Sequence, residues 1–133
     1  MNVGIIGSRK YENKKKIKDF IFKLKTEYGD DVTIISGGCY NGADSYAKRY
    51  AIEFGLRYEE YPPAHRVYNT YCVLDPDYYG KSYNVLNYFN RNKQIAQNSD
   101  VVVGFIPDGE ESNGTNNALE WAIQFNKKTL IIN

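Results

Sequence analysis

The chain has 133 residues, 42% of them hydrophobic and 25% charged, with 17 basic against 16 acidic side chains and a net charge of +1. That length suits one domain, residues 1–133, with a core that needs no disulfides, and the composition excludes a disordered, collagen-like or wholly coiled-coil chain. A charge so near zero supplies no protein-wide field for a nucleic-acid backbone, and Cys39, Cys72 and the single His65 make no metal-ligand set.

Val3 to Ile6, an apolar run stopping at Gly7, predicts a central strand covered on both faces. Ile17, Phe20, Ile21 and Leu24 recur at helical spacing between Asn13 and Tyr28, and Gly29-Asp30-Asp31 ends that helix. Lys14, Lys15, Lys16 and Lys18 form its solvated face. Val32 to Ile35 predicts a second buried strand. Ala43, Tyr46, Ala47, Tyr50, Ala51 and Phe54 then repeat at three and four before Gly55, which predicts a helix. Leu56 to Tyr61 alternates more polar residues, as an edge strand does, and Pro62-Pro63 closes it.

Residues 64–85, rich in Tyr, Asn, Asp and Gly, follow neither period, as expected of a functional lid or mobile segment. Asn90 to Gln97 is expected to be helical, Val101 to Ile106 a strand, Thr115 to Phe125 a helix, and Thr129 to Ile132 the last strand. Strands alternating with amphipathic helices predict an α/β, Rossmann-like three-layer sandwich whose mostly parallel five-stranded sheet has the order 3-2-1-4-5. Ligands of such sheets bind at the carboxyl ends of the strands, where the order reverses. No secretory or membrane-spanning pattern is visible, so a cytoplasmic protein without a membrane partner is expected.

Three glycine-bearing turns meet that edge. Gly7-Ser8-Arg9 combines a bare backbone, a hydroxyl and a guanidinium suited to phosphate. Ser36-Gly37-Gly38 leads through Gly42-Ala43-Asp44, and three glycines within six residues are costly in entropy unless close contacts or unusual angles need them. Asp44 can favour the helix dipole, fix the loop or bind a ribose. Arg91-Asn92 is expected at a helix start near the same crevice, and Asn113-Gly114-Thr115 at another. Helix N-termini beyond such turns offer amides and a positive dipole end to an anion. Asp108, Glu110 and Glu111, just before Asn113-Gly114-Thr115, repel phosphate but hydrogen-bond sugar diols, and the mixture suits a ligand with phosphate at one end and ribose at the other. His65 is a candidate for phosphate binding or proton transfer, and Tyr68, Tyr71, Tyr78, Tyr79 or Tyr83 for stacking on a base.

Taken in order, Gly7-Ser8-Arg9, Ser36-Gly37-Gly38 through Gly42-Ala43-Asp44, Tyr61-Pro62-Pro63-Ala64, Arg91-Asn92-Lys93, Pro107-Asp108-Gly109 and Gly114-Thr115 resemble the turns of the SLOG superfamily. The chain is most similar to its small stand-alone members, related to LOG phosphoribohydrolases, molybdenum-cofactor carrier proteins and DprA. The resemblance implies a Rossmann-like fold and a nucleotide-like ligand lined by Gly7, Ser8, Arg9, Gly37, Gly38, Asp44, Arg91, Asn92, Gly114 and Thr115. It also implies a homodimer or higher homo-oligomer, as do Tyr46, Tyr50 and Trp121, which leave surplus aromatic surface.

Phosphoribohydrolases of this superfamily carry a Glu pair after the last turn, where this chain has Asn116-Asn117-Ala118. The expected function is therefore binding of a phosphate-bearing nucleotide derivative, as sensor, carrier or sequestering protein, with no metal and no required cofactor beyond that bound nucleotide derivative. N-glycosidic hydrolysis of nucleoside monophosphates, using Glu110, Glu111 or His65, is the first alternative. A DprA-like single-strand binder is the second, and the charge disfavours it.

Overall fold

The computed structural model describes residues Met1–Asn133. The elements are β1 (Asn2–Gly7), α1 (Lys14–Tyr28), β2 (Thr33–Ser36), α2 (Ala43–Glu53), β3 (Arg57–Glu60), α3 (Leu86–Asn98), β4 (Val101–Phe105), α4 (Asn113–Gln124) and β5 (Lys128–Ile132). Short 3-10 turns occupy Gly29–Asp31 and Pro76–Tyr78. All strand pairs are parallel and the order is β3-β2-β1-β4-β5, as expected from the alternation of elements.

Alternate side chains of the central strands feed two cores. Val3, Ile5, Val103 and Phe105 pack with Ile17, Ile21, Ala47 and Ala51 beneath α1 and α2. Ile6 and Val102 pack with Ile95, Ala96, Ala118, Leu119 and Ala122 beneath α3 and α4. β1 and β4 are apolar at nearly every position because both of their faces are covered. β1 ends at Gly7 opposite Phe105, and β2 ends at Ser36 opposite Glu60, so their turns emerge along one edge.

Several boundaries and placements differ from expectation. α3 starts at Leu86, not Asn90, so Arg91-Asn92 lie within the helix instead of opening it. Asn84 accepts from the Leu86 amide at 2.9 Å, and Leu86 itself is 58% exposed, so the first turn shows no buried period. α4 starts at Asn113, not Thr115, because Ser112 caps it: its Oγ accepts from the Thr115 amide at 3.4 Å and lies 2.7 Å from Thr115 Oγ1. Ser112→Ala is expected to lower stability by about 1 kcal/mol, which urea unfolding would show and Ser112→Asp would largely restore. Tyr50 is buried in the core and contributes no surface to an oligomer.

The segment 64–85 is tied to the sheet edge. The Glu60 amide donates to Tyr71 O at 3.0 Å, and the Val73 amide donates to Glu60 O at 3.3 Å. This short pairing covers part of the outer edge of β3. The Gly80 and Lys81 amides return to the carbonyls of Arg66 and Ala64 at 2.9 and 3.0 Å, and Tyr79 is buried within the segment.

Candidate functional site

A hollow of about 400 Å³ opens at the carboxyl ends of β1 and β4. Its wall contains Gly7, Ser8, Arg9, Asp44, Arg91, Asn92, Gly114 and Thr115, all expected from sequence, together with Cys39, Tyr88 and Ser112. Ile6, Val85, Phe89 and Ile95 supply an apolar side. The volume falls within the range of about 300–1,000 Å³ usual for small-molecule sites.

The first turn is rigid. Ser8 N–H donates to Phe105 O at 3.1 Å, and the Ser8 carbonyl accepts from Tyr11 and Ala43 at 3.2 and 3.3 Å. Ser8 Oγ accepts from the Lys10 amide at 3.0 Å, which leaves the Arg9 side chain projecting. Across the crevice, the first amides of α4, at Asn113 and Gly114, precede the helix's own hydrogen-bond ladder. They carry the positive end of its dipole. Asn92, buried, holds this end in place by donating to Gly114 O and Asn117 Oδ1, both at 3.2 Å.

Gly37 and Gly38 do not line the hollow; they shape it from behind. Gly37 O accepts from Arg91 Nη1 at 2.8 Å, and a Cβ on Gly37 would stand 2.1 Å from that nitrogen. The guanidinium thus lies against a bare backbone, its Nε donating to Asn92 Oδ1 at 3.1 Å. Gly38, at φ 72°, leaves room for Glu60: its Cβ would fall 2.5 Å from Glu60 Cδ.

Charge is concentrated at this point. Asp44, buried in the first turn of α2, accepts from the Cys39 amide through Oδ2 at 3.2 Å. Burial pushes its carboxyl above the usual range, while the nearby Arg91 guanidinium and the Cys39 amide oppose that rise. Burial lowers the Arg91 pKa, and Asp44 and Cys39 work against the fall. Arg9 is raised, chiefly by its interaction with the Tyr88 side chain. The Tyr88 ring has Arg9 Cζ 5.5 Å and Arg91 Cζ 5.7 Å from its centroid, so one aromatic ring organises both cations.

The remaining candidates lie elsewhere. Glu110 lines a second hollow beside the first, and Glu111 lines neither. His65 packs against Tyr83 and Tyr88 at 4.8 and 5.0 Å and meets Asn87 Nδ2 at 3.1 Å through Nδ1, one ring away from the first hollow. Its pKa is lowered by burial, then by Arg66 and Arg91. Tyr68, Tyr71, Tyr78, Tyr79 and Tyr83 are absent from the wall, and Tyr88 takes that place. Tyr88 and Arg91 stand three apart on one helix, a spacing that shares a face; reading α3 from residue 86 would have found the pair. Asn117 Oδ1 accepts from Asn92.

Glu60 went unnoticed in the sequence because an edge strand was expected to carry solvated charge. It is 1% exposed and holds the site's rear. Glu60 Oε1 accepts from Tyr58 OH at 2.8 Å and faces Lys48 Nζ at 3.3 Å, while Oε2 accepts from Asn69 Nδ2 at 2.5 Å. Tyr58 OH also lies 2.6 Å from Ser36 Oγ, which accepts from the Gly38 amide at 3.3 Å. Burial and then Glu60 hold the Tyr58 phenol well above its usual pKa. Glu60→Ala orphans several of these groups and is expected to cost about 2–4 kcal/mol, below the full penalty for a broken buried pair because Lys48 can rehydrate. Urea unfolding would measure it, and faster proteolysis within residues 64–85 would report the lost tie through Asn69.

A family model described as "YAcAr: YspA, cpYpsA-related SLOG family" matches residues 1–68, which carry the first two turns. No curated protein matches the chain. Among solved structures, the molybdenum cofactor binding protein of the phototrophic bacterium Rippkaea orientalis is similar over 98% of this chain and 74% of its own, with 16% identity and a TM-score of 0.73. The molybdenum cofactor carrier protein of Chlamydomonas reinhardtii is similar over 98% and 74%, with 17% identity and a TM-score of 0.67. At such identities the likeness is one of fold, and it agrees with the parallel sheet described above. With its strand order, its glycine turns and the family match over their first half, the chain belongs to the YspA, cpYpsA-related SLOG family.

Proposed function

We propose that this protein binds a phosphate-bearing, nucleotide-derived small molecule in the first hollow and acts as a sensor, carrier or sequestering protein. The observation that carries this reading is the pairing of Arg9 and Arg91 about Tyr88, opposite the open N-terminus of α4. Two guanidiniums and a helix dipole favour an anion. The apolar side at Val85, Phe89 and Ile95 suits a planar ring, and Asp44 is placed to accept from a sugar hydroxyl. That solved structures of similar fold bind or carry the molybdenum cofactor supports a small-molecule ligand.

A binding role is favoured over hydrolysis because Asn116 and Asn117 stand near the carboxylate positions of the phosphoribohydrolases, while Glu110, Glu111 and His65 do not line the hollow. The reading places one domain in the cytoplasm; no helix is long and apolar enough to cross a membrane. It includes a homo-oligomer, supported by Leu130 and Ile131 of β5, which are 46% and 55% exposed at the sheet edge. Sedimentation velocity showing only monomer would remove that part.

Native mass spectrometry of gently purified protein, followed by denaturation, tests the binding role. Release of a nucleotide-like mass is expected. Recovery of free base or ribose 5-phosphate would favour hydrolysis, and an empty protein that also ignores a nucleotide panel in calorimetry would overturn the reading.

A further inference from the structure

A second hollow, of about 770 Å³, lies beside the first, between the N-terminus of α1 and the turn after β4. Arg9 and Lys10 belong to the walls of both. Beyond them the second hollow has Lys16 and Glu12 on the α1 side and Asp108 and Glu110 on the β4 side. The ion pairs of the protein are Lys15–Asp19, Lys48–Glu60 and Arg57–Glu59, so none of these charges is engaged with another. Lys16 Nζ donates to Asn133 O at 3.1 Å.

Unpaired cations at the junction and unpaired carboxylates beyond it call for two chemistries in sequence. Phosphate oxygens suit Arg9 and Lys10. Asp108 and Glu110 would repel phosphate, and a carboxylate accepts well from vicinal hydroxyls. Asp108 and Glu110 are exposed, and no group of three acidic, Cys or His side chains is placed to hold a metal ion. A nucleoside monophosphate confined to the first hollow would meet Arg9 and α4 and leave this second set idle.

We propose that the ligand spans both hollows and is a nucleoside diphosphate sugar: nucleoside in the first, diphosphate across Arg9 and Lys10, and the distal sugar against Asp108 and Glu110. This rests on the reading of the first hollow as a nucleotide site.

Calorimetry on the full chain with AMP, GMP and UMP, their diphosphates, and ADP-ribose, GDP-mannose and UDP-glucose tests it. For the base that binds, the diphosphate sugar is expected to bind at least about tenfold tighter than the monophosphate. In the Asp108→Asn, Glu110→Gln double variant that ratio is expected to collapse, through loss on the diphosphate-sugar side. Equal affinity of monophosphate and diphosphate sugar would overturn the spanning ligand and leave the nucleotide site standing. A ratio that survives the double variant would overturn the role of the carboxylates. Absence of binding by every ligand would overturn both the spanning ligand and the nucleotide site.

Discussion

Gly42→Ala is expected to destabilise the protein by about 4 kcal/mol, or to prevent folding at 37 °C. Two costs coincide at this residue. Its φ is 72° and its ψ −147°, a region held almost only by glycine, where an L side chain costs about 1–3 kcal/mol. A Cβ would also stand 2.3 Å from Ser8 O and 2.6 Å from Arg9 Cα, both backbone atoms. Overpacking adds about 1–3 kcal/mol where neighbours can move, and here they are held. The Ser8 carbonyl already accepts from Ala43 and Tyr11, and its amide donates to Phe105 O. Relief would require separating the first turn from the start of α2, the junction that brings Arg9 and Asp44 to one hollow. Gly55→Ala provides the comparison: φ is 73°, but the nearest atom to its Cβ is the flexible Lys25 Nζ at 3.9 Å. That change should cost only the conformational part, about 1–2 kcal/mol. Equal urea midpoints for the two variants would mean that the turn and α2 are not packed as described.

Arg91→Ala is expected to weaken nucleotide binding by about 2–4 kcal/mol, roughly 30- to 1,000-fold in Kd, the scale for losing one partner of a desolvated, hydrogen-bonded charge. Arg91→Lys should restore little, because an ammonium cannot reach Gly37 O and Asn92 Oδ1 together in the planar geometry that the guanidinium uses. The ligand-free variant carries a second signature. Arg91 is the charge that most opposes the rise of the Asp44 pKa. With it gone, the folded state holds the Asp44 proton still more tightly than the unfolded state does. A raised carboxyl contributes stability below its ordinary value of 3.8 and loses that contribution as pH rises through the folded value. The thermal deficit of Arg91→Ala relative to wild type should therefore shrink as pH falls from neutral toward mildly acidic. A deficit independent of pH would sever Asp44 from Arg91, and unchanged nucleotide affinity would remove Arg91 from the site.

The sheet order and its helices were legible in the sequence because they depend on local, periodic signals. Central strands such as Val3 to Ile6 are apolar on both faces, crossover helices repeat at three and four, and right-handed connection leaves few ways to join them. The glycine turns were legible for the same reason, since a residue without a side chain at a strand end marks a close approach. The tertiary structure decided what each close approach serves. Gly37 and Gly38 make room for Arg91 and Glu60 instead of lining the hollow. Tyr88 reaches the wall from a helical turn whose outward apolar residues concealed its start, and Glu60 is buried at a strand end that its polar neighbours marked as solvated. Those placements depend on partners far along the chain, Gly38 for Glu60 and Gly37 for Arg91, and no local pattern carries the position of a distant partner.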